Sequence, residues 1–328
     1  MTVSAQTNTT LQAIAQALSS RDDFVICGHV NPDGDCVGSQ LALASALRAL
    51  GKTVTCVFAQ DIPYESTLAC LPGFDGIIPS AEFAGAVDTF IAVDVSDAKR
   101  MGDAAKLFEN ASYRIIIDHH EVDTRTSELN YVEPDAAATS MIIWDLIGCF
   151  DVERDTDMAA CTYVGLMTDT GRFQFQNTDA RAFSAAAEMV ASGADPASLS
   201  TAIYQNRTRA SVALEHIMLG NIIYDDERQF VLSWVSRDDM ESVGAKRSDA
   251  ESLIDTLRSI RGIRVACILR GEDGCVRGSL RAKDATDVAR IARLYGGGGH
   301  VAASGFTIHD TMDVARNSVL ATLQKELS

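Results

Sequence analysis

Short apolar runs alternate with amphipathic stretches along the first 120 residues, and this pattern predicts strands that alternate with helices. Three consecutive isoleucines in one of the runs predict a strand that is buried on both faces. Helices are predicted over residues 38–50 and 99–110. Strands that alternate with helices predict a parallel sheet with right-handed crossovers. The predicted strands are Phe24 to Cys27, Thr53 to Phe58, Thr89 to Val93 and Arg114 to Ile117.

The pattern changes twice further along the chain. Spaced apolar residues without strand alternation predict helices between residues 136 and 191. The stretch Ser192 to Pro196 then breaks the pattern. Beyond it, several apolar runs predict strands, and the turn residues Gly271 to Gly274 predict a hairpin. We therefore predict an α/β fold with three parts: a parallel-sheet domain over residues 1–191, a helical linker over 192–220 and a smaller α+β domain over 221–328.

Composition narrows the class of protein. The chain has 328 residues, of which 47% are hydrophobic, and a formal net charge of −17. It has no run of about 18 apolar residues, as a membrane helix needs, and no evident signal peptide, so we expect a cytoplasmic protein without membrane contact. The eight cysteines form no C-x-x-C pair and are interpreted as reduced core residues. The acidic balance argues against nonspecific binding of long nucleic acid, but not against a small phosphorylated substrate.

Acids and histidines follow several of the predicted strands. Because the carboxyl ends of parallel strands lie at one edge of a sheet, these side chains are expected to meet. So many carboxylates can be ionised together only with cations between them, and mixed carboxylate and imidazole donors suit a divalent metal such as Mn²⁺. Two ions could clamp a phosphoryl group for in-line displacement by water. The candidate residues are His29, Asp33, Asp35, Asp94, Asp118, His119, His120 and Asp169.

The same residues carry a family resemblance. Four segments, at His29 to Ser39, Val93 to Asp97, Asp118 to His120 and Gly165 to Gly171, resemble in order the four motifs of the DHH phosphoesterase superfamily. The segments Gly278 to Arg281 and Gly296 to Gly305 resemble the DHH-associated domain of its first subfamily. The chain looks most like the bifunctional oligoribonuclease and pAp phosphatase branch, also called nanoRNases.

The resemblance implies a role for each candidate. One Mn²⁺ would be held by His29, Asp33 and Asp94. A second would be held by Asp35, Asp94, His119 and Asp169, so that Asp94 bridges the two ions. His120 would contact the scissile phosphate, and Asp118 would orient its neighbours. Mg²⁺ or Co²⁺ could substitute for Mn²⁺. Cys36 lies inside the first motif, and we interpret its side chain as pointing away from the metals into helix packing.

The glycine run before His300 supplies candidates in the second domain. Backbone N–H groups of Gly297, Gly298 and Gly299 could form a nest for a phosphate, and His300 and Arg281 would add donors. Arg281 suits bidentate recognition of a phosphate better than lysine does. These residues are predicted to bind the substrate, with the active site in a cleft between the domains.

The expected activity is Mn²⁺-dependent hydrolysis of very short oligoribonucleotides, such as pApA, to 5′-mononucleotides, together with dephosphorylation of 3′-phosphoadenosine 5′-phosphate (pAp) to AMP. Cyclic di-AMP is a natural extension, and a homodimer is left open. Three alternatives remain: a pyrophosphatase or exopolyphosphatase, a single-strand exonuclease of the RecJ type, and a noncatalytic nucleotide sensor. The first would lack the segment from Gly296 to His300, the second would be longer, and the third would not need so complete a set of metal ligands.

Overall fold

The computed structural model describes residues 4–60, 67–120 and 126–327. The chain divides into two compact units, residues 1–206 and 207–328. This division falls inside the predicted linker, and the bounds of the three predicted parts stay a prediction. Among the described residues, no helix is long and apolar enough to cross a membrane.

The first unit is built on a six-stranded sheet with the order β3-β2-β1-β4-β5-β6. Every strand pair in it is parallel, as the alternation of strands and helices predicts. The strands are β1 (Asp23–Cys27), β2 (Thr53–Phe58), β3 (Ile78–Pro79), β4 (Thr89–Val93), β5 (Tyr113–Asp118) and β6 (Leu129–Val132). The short strands β3 and β6 were not predicted.

Helices cover both faces of this sheet. They are α1 (Leu11–Ser19), α2 (Gly34–Ala49), α3 (Ala105–Asn110), α4 (Thr139–Ile147), α5 (Thr156–Asp169), α6 (Ala180–Ala191) and α7 (Pro196–Tyr204). The isoleucines of β5 divide between two apolar cores: Ile115 and Ile117 pack in the core that contains α2, α4 and α5, and Ile116 packs in the core that contains Phe108 of α3. The strand is therefore buried on both faces, as predicted.

Helix α2 begins earlier than the sequence pattern indicates. It starts at Gly34, with Asp33 as its N-cap, whereas the helix was predicted from Gly38. The Asp33 carboxylate accepts hydrogen bonds from the backbone N–H groups of Asp35 and Cys36. Asp35 therefore lies in the first turn of a helix, not in the predicted loop.

The second unit contains a six-stranded mixed sheet with the order β11-β12-β10-β9-β8-β7. Its helices are α8 (Arg209–Gly220), α9 (Arg237–Ser242), α10 (Leu253–Ser259), α11 (Val288–Arg293) and α12 (Met312–Glu326). Helices α11 and α12 pack on one face of the sheet, and α8 and α10 pack on the other. The strands are β7 (Ile223–Asp225), β8 (Phe230–Val235), β9 (Val265–Glu272), β10 (Cys275–Ala282), β11 (Gly298–His300) and β12 (Ala303–Ile308).

Candidate metal centre

Three adjacent strands carry polar residues to the same edge of the first sheet. Strands β1, β4 and β5 are neighbours, and each is followed or ended by a candidate ligand. His29 follows β1, Asp94 follows β4, and His119 follows β5. All three side chains are buried. Buried acids and imidazoles need partners, so their meeting point is a polar site inside the fold.

His29 and Asp94 form one side of the site. His29 Nε2 lies 3.2 Å from Asp94 Oδ2 and 3.9 Å from Asp33 Oδ2. Two ligands at about 2.0–2.2 Å from one ion are separated by roughly 3 Å. The distance from His29 to Asp94 fits this separation, and Asp33 needs a small shift.

His119 is the centre of the other side. Its Nε2 lies 3.6 Å from Asp169 Oδ2, 3.7 Å from Asp94 Oδ1 and 4.0 Å from Asp35 Oδ2. Asp94 thus turns one oxygen to His29 and the other to His119. Nitrogen and oxygen donors of this kind suit divalent first-row ions, so the residues fit a pair of metal ions with Asp94 between them.

Backbone carbonyls orient the two metal-facing histidines. His29 Nδ1 donates to the Val30 carbonyl at 2.8 Å, and His119 Nδ1 donates to the Ala136 carbonyl at 3.1 Å. Because Nδ1 carries the proton in each ring, Nε2 is the nitrogen with a lone pair for a metal.

Asp94 has a backbone conformation that few residues adopt. Its φ is 58°, in the left-handed region, so the chain turns sharply where β4 ends. Asp and Asn tolerate this region better than other non-glycine residues. The Asp94 carboxylate also accepts a hydrogen bond from Thr139 Oγ1 at 3.0 Å. The turn and this bond together fix the carboxylate between the two histidines.

Asp118 holds the segment that contains both histidines. Its Oδ1 accepts hydrogen bonds from the backbone N–H groups of His119 and His120, and its Oδ2 accepts one from Ser96 Oγ. His120 Nδ1 also donates to Asp118 Oδ1, at 2.8 Å. This bond leaves Nε2 of His120 as the ring nitrogen that can meet a substrate. The role of Asp118 in orienting its neighbours for catalysis stays a prediction.

Burial and the neighbouring carboxylates have opposite effects on the pKa values of His29 and His119. Burial alone would lower the pKa of His29, but the hydrogen bond to Asp94 and the charges of Asp33 and Asp94 raise it to about 9. The pKa of His119 is raised to about 10 against the effect of burial, by the charges of Asp169, Asp94 and Asp35.

The pKa values of the carboxyl groups shift in opposite directions. Burial and the charge of Asp94 raise the pKa of Asp35 to about 7, and burial raises that of Asp169 well above its usual range. Burial would also raise the pKa of Asp94, but the hydrogen bond from His29 and the charges of the histidines hold it below its usual range. Protons thus balance the excess of carboxylates without metal, and divalent cations could replace them.

Helix α4 contributes two residues that the sequence did not single out, Thr139 and Ser140. Their backbone N–H groups donate to Asp35 Oδ2 at 2.6 Å and to Asp35 Oδ1 at 2.8 Å. The N-cap of α4 is Ala138, whose side chain cannot cap, so Asp35 from α2 satisfies these amides instead. The only signal in the sequence is that both residues lie near the start of the region, residues 136–191, that is predicted to be helical.

Close packing of helices α2 and α5 brings Asp35 towards Asp169. A Cβ atom at Gly38 of α2 would overlap the Cys161 carbonyl of α5, and one at Gly165 of α5 would lie 2.9 Å from Asp35 Oδ1. Only glycine allows the two helices to approach this closely. Both glycines belong to motifs that the sequence analysis singled out.

The prediction for Cys36 is wrong. Its Sγ lies in a group with a ring nitrogen of His29 and a carboxylate oxygen of Asp94, all within 4.8 Å of one another. The side chain of Cys36 is fully buried and faces the metal centre. The first turn of α2, which the sequence pattern did not predict, directs it there.

In the second unit, the structure corrects the predicted glycine nest. The N–H groups of Gly296 and Gly297 donate to the carbonyls of Arg293 and Ala292, where they cap the end of α11. Gly298 and Gly299 lie in the edge strand β11, which ends at His300 and pairs with β12. The predicted nest is therefore wrong for Gly297, because its N–H donor is used within the domain.

Arg281 lies on β10, and a second arginine that the sequence did not single out lies on the neighbouring strand. Arg270 of β9 pairs with Arg277 of β10, and its Nη2 donates to Ser279 Oγ at 2.7 Å. Arg270, Arg277 and Ser279 line a pocket of about 430 Å³. Arg270 Nε is buried there without a hydrogen-bond partner among the described residues. The signal in the sequence that could have identified Arg270 is its position as a cation directly after the apolar run Val265 to Leu269.

The fold and site define a protein with an open parallel α/β domain, a buried cluster of acids and histidines at the strand ends that could hold metal ions, and a second α+β domain. The chain belongs to the DHH family. Residues 23–166 match the model of the DHH family N-terminal domain, and residues 229–328 match that of the DHHA1 domain.

Several named proteins are similar in sequence to this one over nearly its whole length. A protein of Thermus thermophilus named bifunctional oligoribonuclease and PAP phosphatase NrnA is 30% identical over 97% of this chain and 94% of its own length. The protein of the same name from Bacillus subtilis is 28% identical over 95% and 96%. A solved structure of an exopolyphosphatase-related protein from Bacteroides fragilis has a TM-score of 0.90 at 24% identity, covering 97% of this chain and 96% of that one. This likeness confirms the fold.

Proposed function

We propose that this protein is a Mn²⁺-dependent phosphoesterase that hydrolyses short oligoribonucleotides to 5′-mononucleotides and converts pAp to AMP. The observation that carries the proposal is the position of Asp94, whose two oxygens face His29 and His119 at 3.2 and 3.7 Å. One carboxylate between two sets of donors is the arrangement that a two-metal phosphoesterase needs. The names of the relatives from Thermus thermophilus and Bacillus subtilis support this choice of substrates.

The proposed ligands form two sets that share Asp94. His29 and Asp33 complete the first set, and the second is completed by Asp35, His119 and Asp169. Carboxylate and imidazole donors without a required thiolate favour Mn²⁺, with Mg²⁺ or Co²⁺ as substitutes. When bound, two such ions supply an activated water and neutralise the charge that develops on the phosphoryl group.

His120 and Asp118 would act on the substrate side of this centre. With Nδ1 of His120 donating to Asp118, Nε2 is the atom that can donate to a nonbridging phosphate oxygen. Asp118 does not reach the substrate in this proposal. It holds His120 in one orientation, and the hydrogen bonds from Ser96 and two backbone amides hold Asp118 itself.

Both proposed reactions break the same bond. In pApA and in pAp, the phosphorus that is attacked is attached to the 3′-oxygen of an adenosine that carries a 5′-phosphate. One site can therefore serve both substrates if it recognises this common leaving nucleotide. In one case the phosphoryl group that is released carries a second nucleoside, and in the other it is inorganic phosphate.

The second domain offers cations for the 5′-phosphate of the leaving nucleotide. We propose that Arg281 and His300 bind the substrate, together with the edge strand at Gly298 and Gly299. Arg270 is a further candidate because its guanidinium is buried beside the pocket and its Nε has no hydrogen-bond partner among the described residues. Local cations of this kind could hold a phosphate in a protein whose net charge is −17.

The test is a substrate panel with metal-free protein that is reloaded with Mn²⁺, Mg²⁺ or Co²⁺. We expect release of AMP from pAp and pApA, and slower hydrolysis of ApA, which lacks the 5′-phosphate. Cyclic di-AMP, longer RNA and pyrophosphate complete the panel. Preferential hydrolysis of pyrophosphate would overturn the proposed substrate class.

A variant pair links the activity to the proposed centre. Asp94→Asn should abolish hydrolysis of both pAp and pApA, since an amide cannot bridge two cations as a carboxylate does. Asp75→Asn is the matched control because Asp75 is exposed and lies outside the site. Equal loss of activity in both variants would contradict the role assigned to Asp94.

A homodimer and a cytoplasmic location stay predictions.

A further inference from the structure

Cys36 provides a sulfur atom at a centre whose other donors are nitrogen and oxygen. It follows Asp35 in the first turn of α2, and its side chain is fully buried. Its Sγ, a His29 nitrogen and an Asp94 oxygen all lie within 4.8 Å of one another. Three donors at such separations can surround one ion after small adjustments, because metal–ligand bonds to nitrogen, oxygen and sulfur are about 2.0–2.3 Å long.

The backbone at the end of β1 leaves room for this sulfur. A Cβ atom at Gly28 would overlap Cys36 Sγ, so the absence of a side chain at Gly28 lets the thiol reach the site. Asp33 lies on the same side, with Oδ2 3.9 Å from His29 Nε2, and its side chain is 57% exposed. A nitrogen, a sulfur and two carboxylates therefore gather around one position.

We infer that Cys36 Sγ is a fourth donor on the His29 side of the centre, and that this side binds thiophilic divalent cations such as Co²⁺ and Cd²⁺ through the sulfur. This inference rests on the proposed metal centre. Soft thiolate ligands select such ions, whereas Mn²⁺ prefers oxygen and nitrogen donors. Binding through sulfur releases the thiol proton to solvent. The protein should then hold Cd²⁺ more tightly than its nitrogen and oxygen donors alone would, and Cd²⁺ should compete with Mn²⁺ for this position.

The test is a titration of metal-free, full-length protein with Co²⁺, followed by absorption spectroscopy. Visible d–d bands report bound Co²⁺, and a sulfur-to-cobalt charge-transfer band in the near ultraviolet reports a thiolate ligand. We expect both in the wild type. Cys36→Ser and Cys36→Ala should retain the d–d bands and lose the charge-transfer band. Cys27→Ala is the matched control, since Cys27 is also buried next to Gly28 but its sulfur contacts the Gly28 carbonyl at 3.3 Å. It should retain both bands.

Competition with Cd²⁺ gives a second measurement that does not depend on hydrolysis. Removal of the sulfur should weaken Cd²⁺ binding by about tenfold or more and leave Mn²⁺ binding nearly unchanged. Cys36→Ser preserves the size of the side chain, and circular dichroism verifies the fold of each variant. A wild type with d–d bands but no charge-transfer band would overturn the inference, as would a charge-transfer band that persists in Cys36→Ser. Failure of Co²⁺ to bind at all would instead overturn the proposed metal centre, and the inference with it.

Discussion

A methyl group at Gly165 would push directly on Asp35 and on Ser140, whose backbone N–H holds the Asp35 carboxylate. An added Cβ would lie 2.5 Å from Ser140 Oγ, 2.6 Å from Ser140 Cβ and 2.9 Å from Asp35 Oδ1. Optimal separations between nonbonded heavy atoms are about 3.5–4.0 Å, so these neighbours must retreat by roughly 0.6–1 Å or more. Gly165 lies on α5, Ser140 on α4 and Asp35 on α2, so Gly165→Ala must separate helices that meet at the metal centre.

The structure sets the size of the expected effect. Overpacking of a close-packed core costs about 1–3 kcal/mol in the free energy of unfolding. A displacement of about 1 Å at a catalytic group can reduce the rate about 100-fold. Gly165→Ala should therefore lower kcat for pApA by about one to two orders of magnitude and weaken Mn²⁺ binding, because Asp35 is displaced from the second set of ligands.

Two assays and one control test this reasoning. The assays are the kcat for pApA at saturating Mn²⁺ and the free energy of unfolding of the metal-free protein. Gly76→Ala is the control, since a Cβ at Gly76 would meet no atom within 4 Å among the described residues. It should retain wild-type activity and stability. Wild-type activity in Gly165→Ala would refute the argument that close packing of these helices positions Asp35.

Three further predictions follow from the same site. Metal-free Asp94→Ala should be less stable than Asp94→Asn by about 1 kcal/mol, because Asn tolerates a φ of 58° better; equal thermal stability of the two variants would count against strain at this turn. Because metal must displace protons from His29 and His119, whose pKa values are raised to about 9 and 10, Mn²⁺ affinity should rise with pH between about pH 6 and 8, and calorimetry in buffers of different ionisation enthalpy should detect proton release. An affinity that is independent of pH would contradict that charge balance. Arg281→Lys should raise KM for pApA more than for ApA, since lysine cannot bind the 5′-phosphate bidentately. Equal changes in KM for the two substrates would contradict a role of Arg281 in binding the 5′-phosphate.

Local pattern was sufficient for the strands that build the metal centre. The apolar runs that become β1, β4 and β5 are each ended or followed within two residues by an acid or a histidine, and a parallel sheet necessarily brings such ends to one edge. The exact start of α2 could not be inferred in this way, because glycine and aspartate at residues 33–35 are typical of a turn and equally of a helix N-terminus. The wrong orientation of Cys36 followed from that missed first turn.

Other features depend on contacts between distant parts of the chain. The amides of Thr139 and Ser140 reach Asp35 only because the first turn of α4 lies against the first turn of α2, and no local signal encodes that approach. The run of glycines before His300 predicts a phosphate-binding nest. In the structure, two of these glycines cap α11 and two lie in an edge strand. Sequence alone does not decide between these uses of glycine, because each requires only the absence of a side chain.

The most direct test of the two-metal account is to titrate Mn²⁺ into metal-free protein while metal content and hydrolysis of pAp and pApA are measured together. The account predicts that two ions bind per chain, that both activities appear as the second ion binds, and that Asp94→Asn loses both activities together. Full hydrolysis by the metal-free protein, or by Asp94→Asn, would contradict it.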